Sequence, residues 1–75
     1  MLRAEEIVLT KIGKRIILLR MLRNMTQSEF AYKTGMNKAA LSRIEKGKAN
    51  MTVRTLYRIS NALDVTLSEL VIDCL

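Results

Sequence analysis

Four cationic side chains lie close together near the middle of the chain, those of Lys38, Arg43, Lys46 and Lys48. Side chains of this type donate hydrogen bonds to phosphate oxygens, and an arginine can donate two bonds to the edge of a guanine. At helical spacing, several of them would share one face of a helix. The chemistry that these residues offer is recognition of a polyanion.

The charge of the whole chain is unevenly distributed. The net charge is +6, and every Lys and Arg except Arg3 lies within residues 11–58, which contain only two carboxylates. Residues 59–75 contain acidic residues and no base. A cationic body favours a polyanionic partner such as a nucleic acid. On charge alone, a basic surface that serves only solubility is the alternative.

Residues that support catalysis or metal binding are scarce. The chain has no histidine and a single cysteine, Cys74, which excludes a zinc finger and an internal disulfide framework. The carboxylates show no paired spacing around a glycine-rich or metal-ligand motif. We therefore expect no enzyme activity, no cofactor, no metal and no small-molecule ligand.

The composition favours one small domain that covers residues 1–75. A chain of 75 residues supports a single core, and no apolar run reaches the roughly 18 residues that cross a bilayer. The N-terminus lacks an apolar signal segment. We predict a cytoplasmic protein that does not associate with membranes.

The hydrophobic pattern predicts an all-α fold, because no segment alternates with the period of a strand. The first helix should run from Glu5 to Leu22 and end near Asn24, and a capping box of Thr26 and Glu29 should begin the second. The other boundaries follow from caps and glycines: the second helix ends at Thr34 and Gly35, Asn37 begins a third that runs through Lys46 to Gly47, Thr52 begins a fourth, and a second capping box of Thr66 and Glu69 begins a short fifth.

The second and third helices meet at a tight turn. Gly35 can adopt the positive φ that reverses the chain in few residues, and the small Ala31 lets the third helix cross closely. Leu41 and Ile44 are the only strong core residues of the third helix, so its basic outer face can enter a DNA major groove about 12 Å wide. The predicted core consists of Ile12, Ile16, Leu19, Phe30, Leu41, Ile44, Leu56, Ile59 and Leu63.

Residues 12–70 resemble the helix-turn-helix DNA-binding domain of the Cro and lambda-repressor type, the Xre family. The resemblance is carried by an ordered series of segments, "IGKRI", "LR", "MTQSEFAYKTGM", "LSRIEKGK", "TLYRISNALDV" and "LSEL". It implies a compact five-helix lambda-repressor-like fold, with the helix-turn-helix at about residues 26–46 and a recognition helix at residues 38–46.

The resemblance also implies roles for individual side chains. Thr26 and Gln27 match positions that hold a phosphate at a helix N-terminus, which is a natural anion site. Lys38, Ala39 and Arg43 match positions that read base edges, where an arginine suits guanine and an alanine suits a thymine methyl group. The other expected contacts, to phosphates or bases, come from Asn37, Ser42, Lys46, Lys48, Asn50 and Thr52.

Arg20 and Glu45 each follow a predicted core residue and on sequence grounds alone are solvated charges. In the Xre family, an arginine late in the first helix pairs with a glutamate late in the third, and both positions match here. The resemblance therefore implies a structural ion pair that fixes the angle of the recognition helix.

The first helix departs from the family pattern, because "IILLRML" is apolar nearly all round. Ile17, Leu18 and Met21 stand where charged residues are usual, so we expect this helix to be covered on more than one side. The cover can come from a second subunit, from the C-terminal tail, or from an N-terminal extension at residues 1–10 that carries Leu2, Ile7 and Val8.

We predict a homodimer, because one recognition helix reads too few base pairs to specify a genomic site. Two copies on a two-fold axis would bind a palindromic operator with half-sites about 34–36 Å apart. The interface is predicted at residues 64–75, where Cys74 of each copy would approach the other. Its apolar residues are Val65, Leu67, Val71, Ile72 and Leu75.

The predicted function is sequence-specific binding of double-stranded DNA by a transcriptional regulator. Restriction–modification controllers, small phage repressors and DNA-binding antitoxins are similar short chains, and "AYKTG" and "IEKGKANMT" resemble the controller type. The alternative is a protein-interaction module, such as an antitoxin, that binds a partner protein through the apolar face of helix one and the C-terminus.

Overall fold

The computed structural model describes residues 3–75 and contains five α-helices and no strand within that range. The helices are α1 (Ala4–Leu22), α2 (Gln27–Thr34), α3 (Lys38–Glu45), α4 (Val53–Ala62) and α5 (Leu67–Val71). The all-α, five-helix prediction is confirmed, although Lys46 caps α3 and is not part of it. Leu2, named above as a possible cover for the first helix, lies outside the described residues.

Helix boundaries are set by the local signals that the sequence carries. Thr26 and Glu29 form the predicted capping box, with the Glu29 N–H 3.1 Å from the Thr26 hydroxyl and the Thr26 N–H 2.9 Å from the Glu29 carboxylate. Asn24, Gly35 and Gly47 all have positive φ, at 55°, 72° and 73°. These residues end α1, α2 and α3 because they tolerate the left-handed conformation at low cost.

The second predicted capping box is wrong in one half. The Thr66 hydroxyl accepts the N–H of Glu69 at 3.0 Å. The structure shows no return bond from the Glu69 side chain to the Thr66 N–H, and Glu69 is exposed. Because α5 has only five residues, its position depends more on contacts with other helices than on its own cap.

The core lies where the helical stripes meet. Ile16, Phe30, Leu41, Ile59 and Leu63 are fully buried, as predicted. Ile12 and Ile44 are also buried, as predicted. Two differences remain: Leu19 and Leu56 are only partly buried at the edge of the core, whereas Leu70 and Cys74 are buried within it. The Cys74 thiol is therefore enclosed by its own chain, and the expected approach of two cysteines across a dimer surface is wrong.

The backbones of α1 and α3 touch where they cross. A Cβ atom added to Gly13 would lie 2.6 Å from the Glu45 carbonyl oxygen and 2.7 Å from that of Ile44. One turn earlier on α1, Thr10 makes a similar contact, since a Cβ added to Gly47 would lie 2.7 Å from the Thr10 Cα. Only glycine permits these approaches, so Gly13 and Gly47 set the distance between α1 and the end of α3.

Arg15 attaches α5 to α1. Its guanidinium donates hydrogen bonds to the backbone carbonyls of Glu69 and Ile72, each at 3.0 Å. These carbonyls lie at the C-terminal end of α5, where the helix leaves acceptors unpaired and where a positive charge is favourable. The contact places the C-terminal tail beside α1, which was one of the covers expected for this helix, but no pattern in the sequence had indicated the Arg15 hydrogen bonds.

Gly13→Ala should destabilise the fold, although alanine is normally favoured over glycine inside a helix by about 0.5–1 kcal/mol. The added methyl group would push α1 away from α3, and overpacking of this kind costs about 1–3 kcal/mol. Urea denaturation measures the loss, and Lys14→Ala, at the exposed neighbouring position, is the control. A Gly13→Ala protein as stable as the wild type would contradict the proposed contact.

Candidate nucleic-acid interface

The turn between α2 and α3 is held by several hydrogen bonds in addition to the conformation of Gly35. The buried Thr34 hydroxyl donates to the Ala31 carbonyl at 3.0 Å and accepts the Met36 N–H at 3.2 Å. Arg58, on α4, donates to the Thr34 carbonyl at 2.9 Å. The last carbonyl of α2 is therefore paired, and α3 leaves the turn in a fixed direction.

Helix α3 divides cleanly into a buried face and an exposed face. Leu41, Ile44 and Glu45 are buried, whereas Lys38, Ala39, Arg43 and Lys46 are exposed and Ser42 is half-buried. The exposed face carries three cations and no carboxylate. It forms a basic ridge of the size and charge that suit a DNA groove.

Arg43 is held at the C-terminal end of this ridge. Its Nη2 atom donates to the Lys48 carbonyl at 3.2 Å, and the Lys48 N–H donates to the Arg43 carbonyl at 2.9 Å. Gly47 makes this reciprocal pairing possible because its positive φ turns the chain back towards α3. The guanidinium is thus oriented before any ligand arrives, while its other N–H groups stay available to a base or a phosphate.

Arg20 and Glu45 are in direct contact, at the positions that the family resemblance pairs. Arg20 Nε lies 2.9 Å from Glu45 Oε2, and Arg20 Nη2 lies 3.3 Å from Oε1. Arg20 Nη1 also donates to the Met25 carbonyl at 3.0 Å. The side chain of Glu45 is only 4% exposed and that of Arg20 only 16%, so water screens this pair weakly.

Gln27 joins the same cluster, which the sequence did not indicate. Its side-chain amide donates to Glu45 Oε1 at 2.9 Å. The carboxylate of α3 therefore accepts from α1 and from the first residue of α2. Among the described residues, no buried side-chain nitrogen or oxygen lacks a hydrogen-bond partner, which is the condition under which a buried charge is tolerated.

The N-terminus of α2 is the place where the sequence suggested a phosphate. Thr26 is exposed and its hydroxyl caps α2, while the Gln27 amide, with one N–H on Glu45, keeps a second N–H. The Thr26 backbone N–H lowers the pKa of the Glu29 carboxyl, as does its hydroxyl, since both bonds favour the ionised form. The first turn of α2 thus presents N–H groups that can bind a phosphate, and the ionised Glu29 carboxylate lies in the same turn.

The remaining candidates lie along one edge of α3. The Asn37 side chain accepts the Ala40 N–H at 2.8 Å and the Thr52 hydroxyl accepts the Thr55 N–H at 3.1 Å, so each caps a helix and stays exposed. Lys48 and Asn50 are exposed on the loop between α3 and α4, beside Arg43. The candidates implied by the resemblance therefore lie at the start of α2, on α3 and its cap residues, in the loop after α3, and at the start of α4.

Residues 16–70 match the helix-turn-helix family HTH_3. The chain belongs to this family. HTH_3 membership accounts for the fixed turn between α2 and α3 and for the exposed basic helix that follows it. It also confirms the family expected from the sequence and shows a DNA-binding transcriptional regulator, not an enzyme.

Relatives of this HTH_3 chain agree with that assignment. It is 38% identical over 60 residues to the uncharacterized HTH-type transcriptional regulator y4dJ of Sinorhizobium fredii, which covers 80% of this chain and 78% of the relative. The restriction–modification controller protein C.AhdI from Aeromonas hydrophila superposes with a TM-score of 0.80 at 27% identity, covering 83% of this chain and 94% of that chain.

A second controller protein, C.Esp1396I, has been solved as a tetramer in complex with its natural 35-base-pair operator. It superposes on this chain with a TM-score of 0.80 at 30% identity and covers 89% of this chain and 92% of its own. The lambda-repressor-like fold is thereby confirmed.

Among residues 3–75, no group of three or more His, Cys, Asp or Glu side chains is arranged to hold a metal ion. None of the helices described is both long and apolar enough to cross a membrane.

Arg20→Ala and Glu45→Ala should each destabilise the protein, because breaking a buried ion pair costs about 3–5 kcal/mol. Arg20→Ala should cost more, since it leaves the more deeply buried carboxylate with Gln27 as its remaining partner. The double mutant should lose less than the sum of the single losses. Denaturant unfolding of all four proteins measures this coupling, with Arg23→Ala, at the exposed residue that follows the last turn of α1, as the control. Strictly additive losses would show that the pair contributes no coupling energy.

Proposed function

We propose that this protein regulates transcription by binding a palindromic DNA operator as a homodimer, with α3 in the major groove. The observation that carries the proposal is the division of α3. Its inner face is fixed by Leu41, Ile44 and the Arg20–Glu45 pair, and its outer face presents Lys38 and Arg43 to solvent. A helix fixed in this way can hold cations in register with base edges.

Base reading and phosphate binding fall to different residues in this proposal. Arg43, Lys38 and Ala39 face the bases, because they are the exposed residues of α3 itself. The surrounding phosphates are held by Lys46, Lys48, Asn50 and the helix N-termini at Gln27 and Thr52, together with Thr26, Asn37 and Ser42. Phosphate contacts of this type fix position, whereas base contacts specify sequence.

The proposed dimer surface combines α1 with the C-terminal tail, which Arg15 holds side by side. Ile72 and Leu75 are 55% and 86% exposed, and Leu18 and Met21 on α1 are 53% and 63% exposed. Val65, Leu67, Val71 and Ile17 on the same two segments are partly buried. No cover for this apolar surface is found within residues 3–75, and a second copy would supply it. The tetrameric assembly of C.Esp1396I on its operator supports association of this kind.

The same surface leaves room for the alternative. If it binds a different protein, as in an antitoxin, the chain would be monomeric alone and would still carry the basic face of α3. Selection of bound sites from a random DNA pool decides between the two. A palindromic consensus supports the homodimer, and recovery of a single half-site supports the alternative. A cytoplasmic location follows from either function and stays a prediction.

Arg43→Ala should weaken binding to the selected operator by about 1–3 kcal/mol and relax the preference at one base position of each half-site. The reason is the loss of a bidentate contact to guanine. Repeating the selection with the variant measures both effects. An unchanged consensus would remove Arg43 from the base-reading set.

Lys48→Ala should instead weaken binding to all duplexes about equally and reduce the slope of log affinity against log salt by about one per half-site, because it removes one phosphate contact. Fluorescence anisotropy over a range of salt concentrations measures this slope. Lys33→Ala, an exposed charge on α2 outside the proposed contacts, is the matched control. A change of sequence preference in Lys48→Ala would place this residue against the bases.

Ile72→Asp should produce a folded monomer that binds the palindromic site far more weakly than the wild type, because a buried unpaired charge opposes association. Sedimentation velocity at micromolar concentration measures the mass, which should be twice the chain mass for the wild type. Tyr32→Asp changes a large hydrophobic residue on α2 that is more exposed than Ile72, at 90% against 55%, and should leave the mass unchanged. A wild-type protein that stays monomeric at high concentration would defeat the homodimer.

A further inference from the structure

Among residues 3–75, Glu6 is the one acidic residue in the lining of a cavity beside the proposed phosphate-binding loop. A cavity of about 390 Å³ separates the first turns of α1 from the loop after α3. Its lining includes Glu6 and Thr10 on one side and Lys46, Lys48 and Asn50 on the other. Glu6 lies outside residues 16–70, which carry the family match, so the family assignment gives it no role.

The loop cannot easily move away from Glu6. The Gly47 backbone is in tight contact with Thr10, one turn along α1 from Glu6. The Thr10 hydroxyl in turn donates to the Glu6 carbonyl at 2.8 Å. These contacts keep the first turns of α1 and the loop together as a unit, so Glu6 and the two lysines stay on opposite walls of one cavity.

The charge of Glu6 is not consumed by an ion pair. Within residues 3–75, the ion pairs are those of Arg3 with Glu5, at 3.7 Å, and of Arg20 with Glu45. Glu5 and Glu6 share the first turn of α1, where any carboxylate is favoured by the helix dipole. Glu6 differs from Glu5 because only Glu6 lines the cavity shared with the loop.

We propose that Glu6 limits the affinity of the protein for the phosphate backbone and thereby restrains binding to DNA of any sequence. The proposal rests on the role of Lys46 and Lys48 as phosphate contacts. A phosphate bound by a lysine at the mouth of this cavity would also meet the charge of Glu6 on the opposite wall, since electrostatic forces extend about 8–10 Å at physiological salt. The repulsion is independent of sequence because phosphates carry no sequence information.

The restraint weakens binding to every sequence alike, but its consequence is greatest for DNA that offers no base contacts. Binding to non-operator DNA depends on the phosphate contacts almost alone. Operator binding also gains the base contacts of α3 and can tolerate a weaker hold on the backbone. Because a genome presents a large excess of non-operator sites, a lower general affinity leaves more protein free to find the operator.

The test compares Glu6→Gln with Glu5→Gln by anisotropy on an operator duplex and on a scrambled duplex. Both variants remove one carboxylate from the same helical turn, so both should lower the melting temperature to a similar small extent. Only Glu6→Gln should bind more tightly, by about two- to threefold on both duplexes at low salt, with the gain shrinking as salt rises. Glu6→Asp, which keeps the charge, should bind like the wild type.

Three results would overturn the proposal: equal affinities for Glu6→Gln and the wild type, an equal gain in Glu5→Gln, or a gain confined to the operator. The Lys48→Ala variant distinguishes a failure of this proposal from a failure of the proposed function. If Lys48→Ala weakens binding and Glu6→Gln has no effect, only the role of Glu6 fails. If Lys48→Ala also has no effect, the phosphate contacts themselves are wrongly assigned.

Discussion

One buried carboxylate holds the recognition helix in place. Glu45, near the end of α3, accepts hydrogen bonds from Arg20 on α1 and from Gln27 at the start of α2. Leu41 and Ile44 alone would leave α3 free to roll, since two apolar side chains on an eight-residue helix fix its distance better than its rotation. The hydrogen bonds to the Glu45 carboxylate are directional and poorly screened by water, so they fix the rotation of α3 about its axis. That rotation decides the direction in which the exposed cations of α3 point.

The distance between α1 and α3 is set by a steric contact and not by the hydrogen bonds to Glu45. At Gly13 the backbones of α1 and α3 meet without an intervening side chain, so the Arg20 guanidinium can reach Glu45 from a position about two turns further along α1. The Arg58 bond to the last carbonyl of α2 then fixes the turn before α3, and the Arg43 bond to the Lys48 carbonyl fixes the loop after α3. The side chains and the turn lose their conformational entropy when the protein folds, and little more is lost when DNA binds. The surface is preorganised in this sense.

Most of the fold followed from short-range signals. Caps at Thr26, Asn37 and Thr52 and left-handed residues such as Gly35 are local devices, and the structure uses them as predicted. The long-range arginine contacts were not predictable, because Arg15 reaches carbonyls 54 and 57 residues away and no pattern marks such a partner. The prediction that Cys74 lies at a dimer surface was wrong for a related reason, since the tail folds back onto α1 and buries the thiol. Arg20 and Glu45 were paired only through the family resemblance, whereas a glycine within a helical pattern, as at Gly13, is a signal of close approach that could have been used.

The length of α1 gives the proposed dimer a built-in ruler. This helix of 19 residues is a rod about 28 Å long at 1.5 Å per residue. It touches α3 through Gly13 and Arg20, and it carries Leu18 and Met21 towards the proposed partner. A rod cannot stretch or twist appreciably, so the separation and relative orientation of the two recognition helices become a fixed property of the protein. One extra base pair between half-sites would turn one of them by about 34–36° around the duplex, and DNA, which bends and twists more readily than this helix, would have to absorb the mismatch.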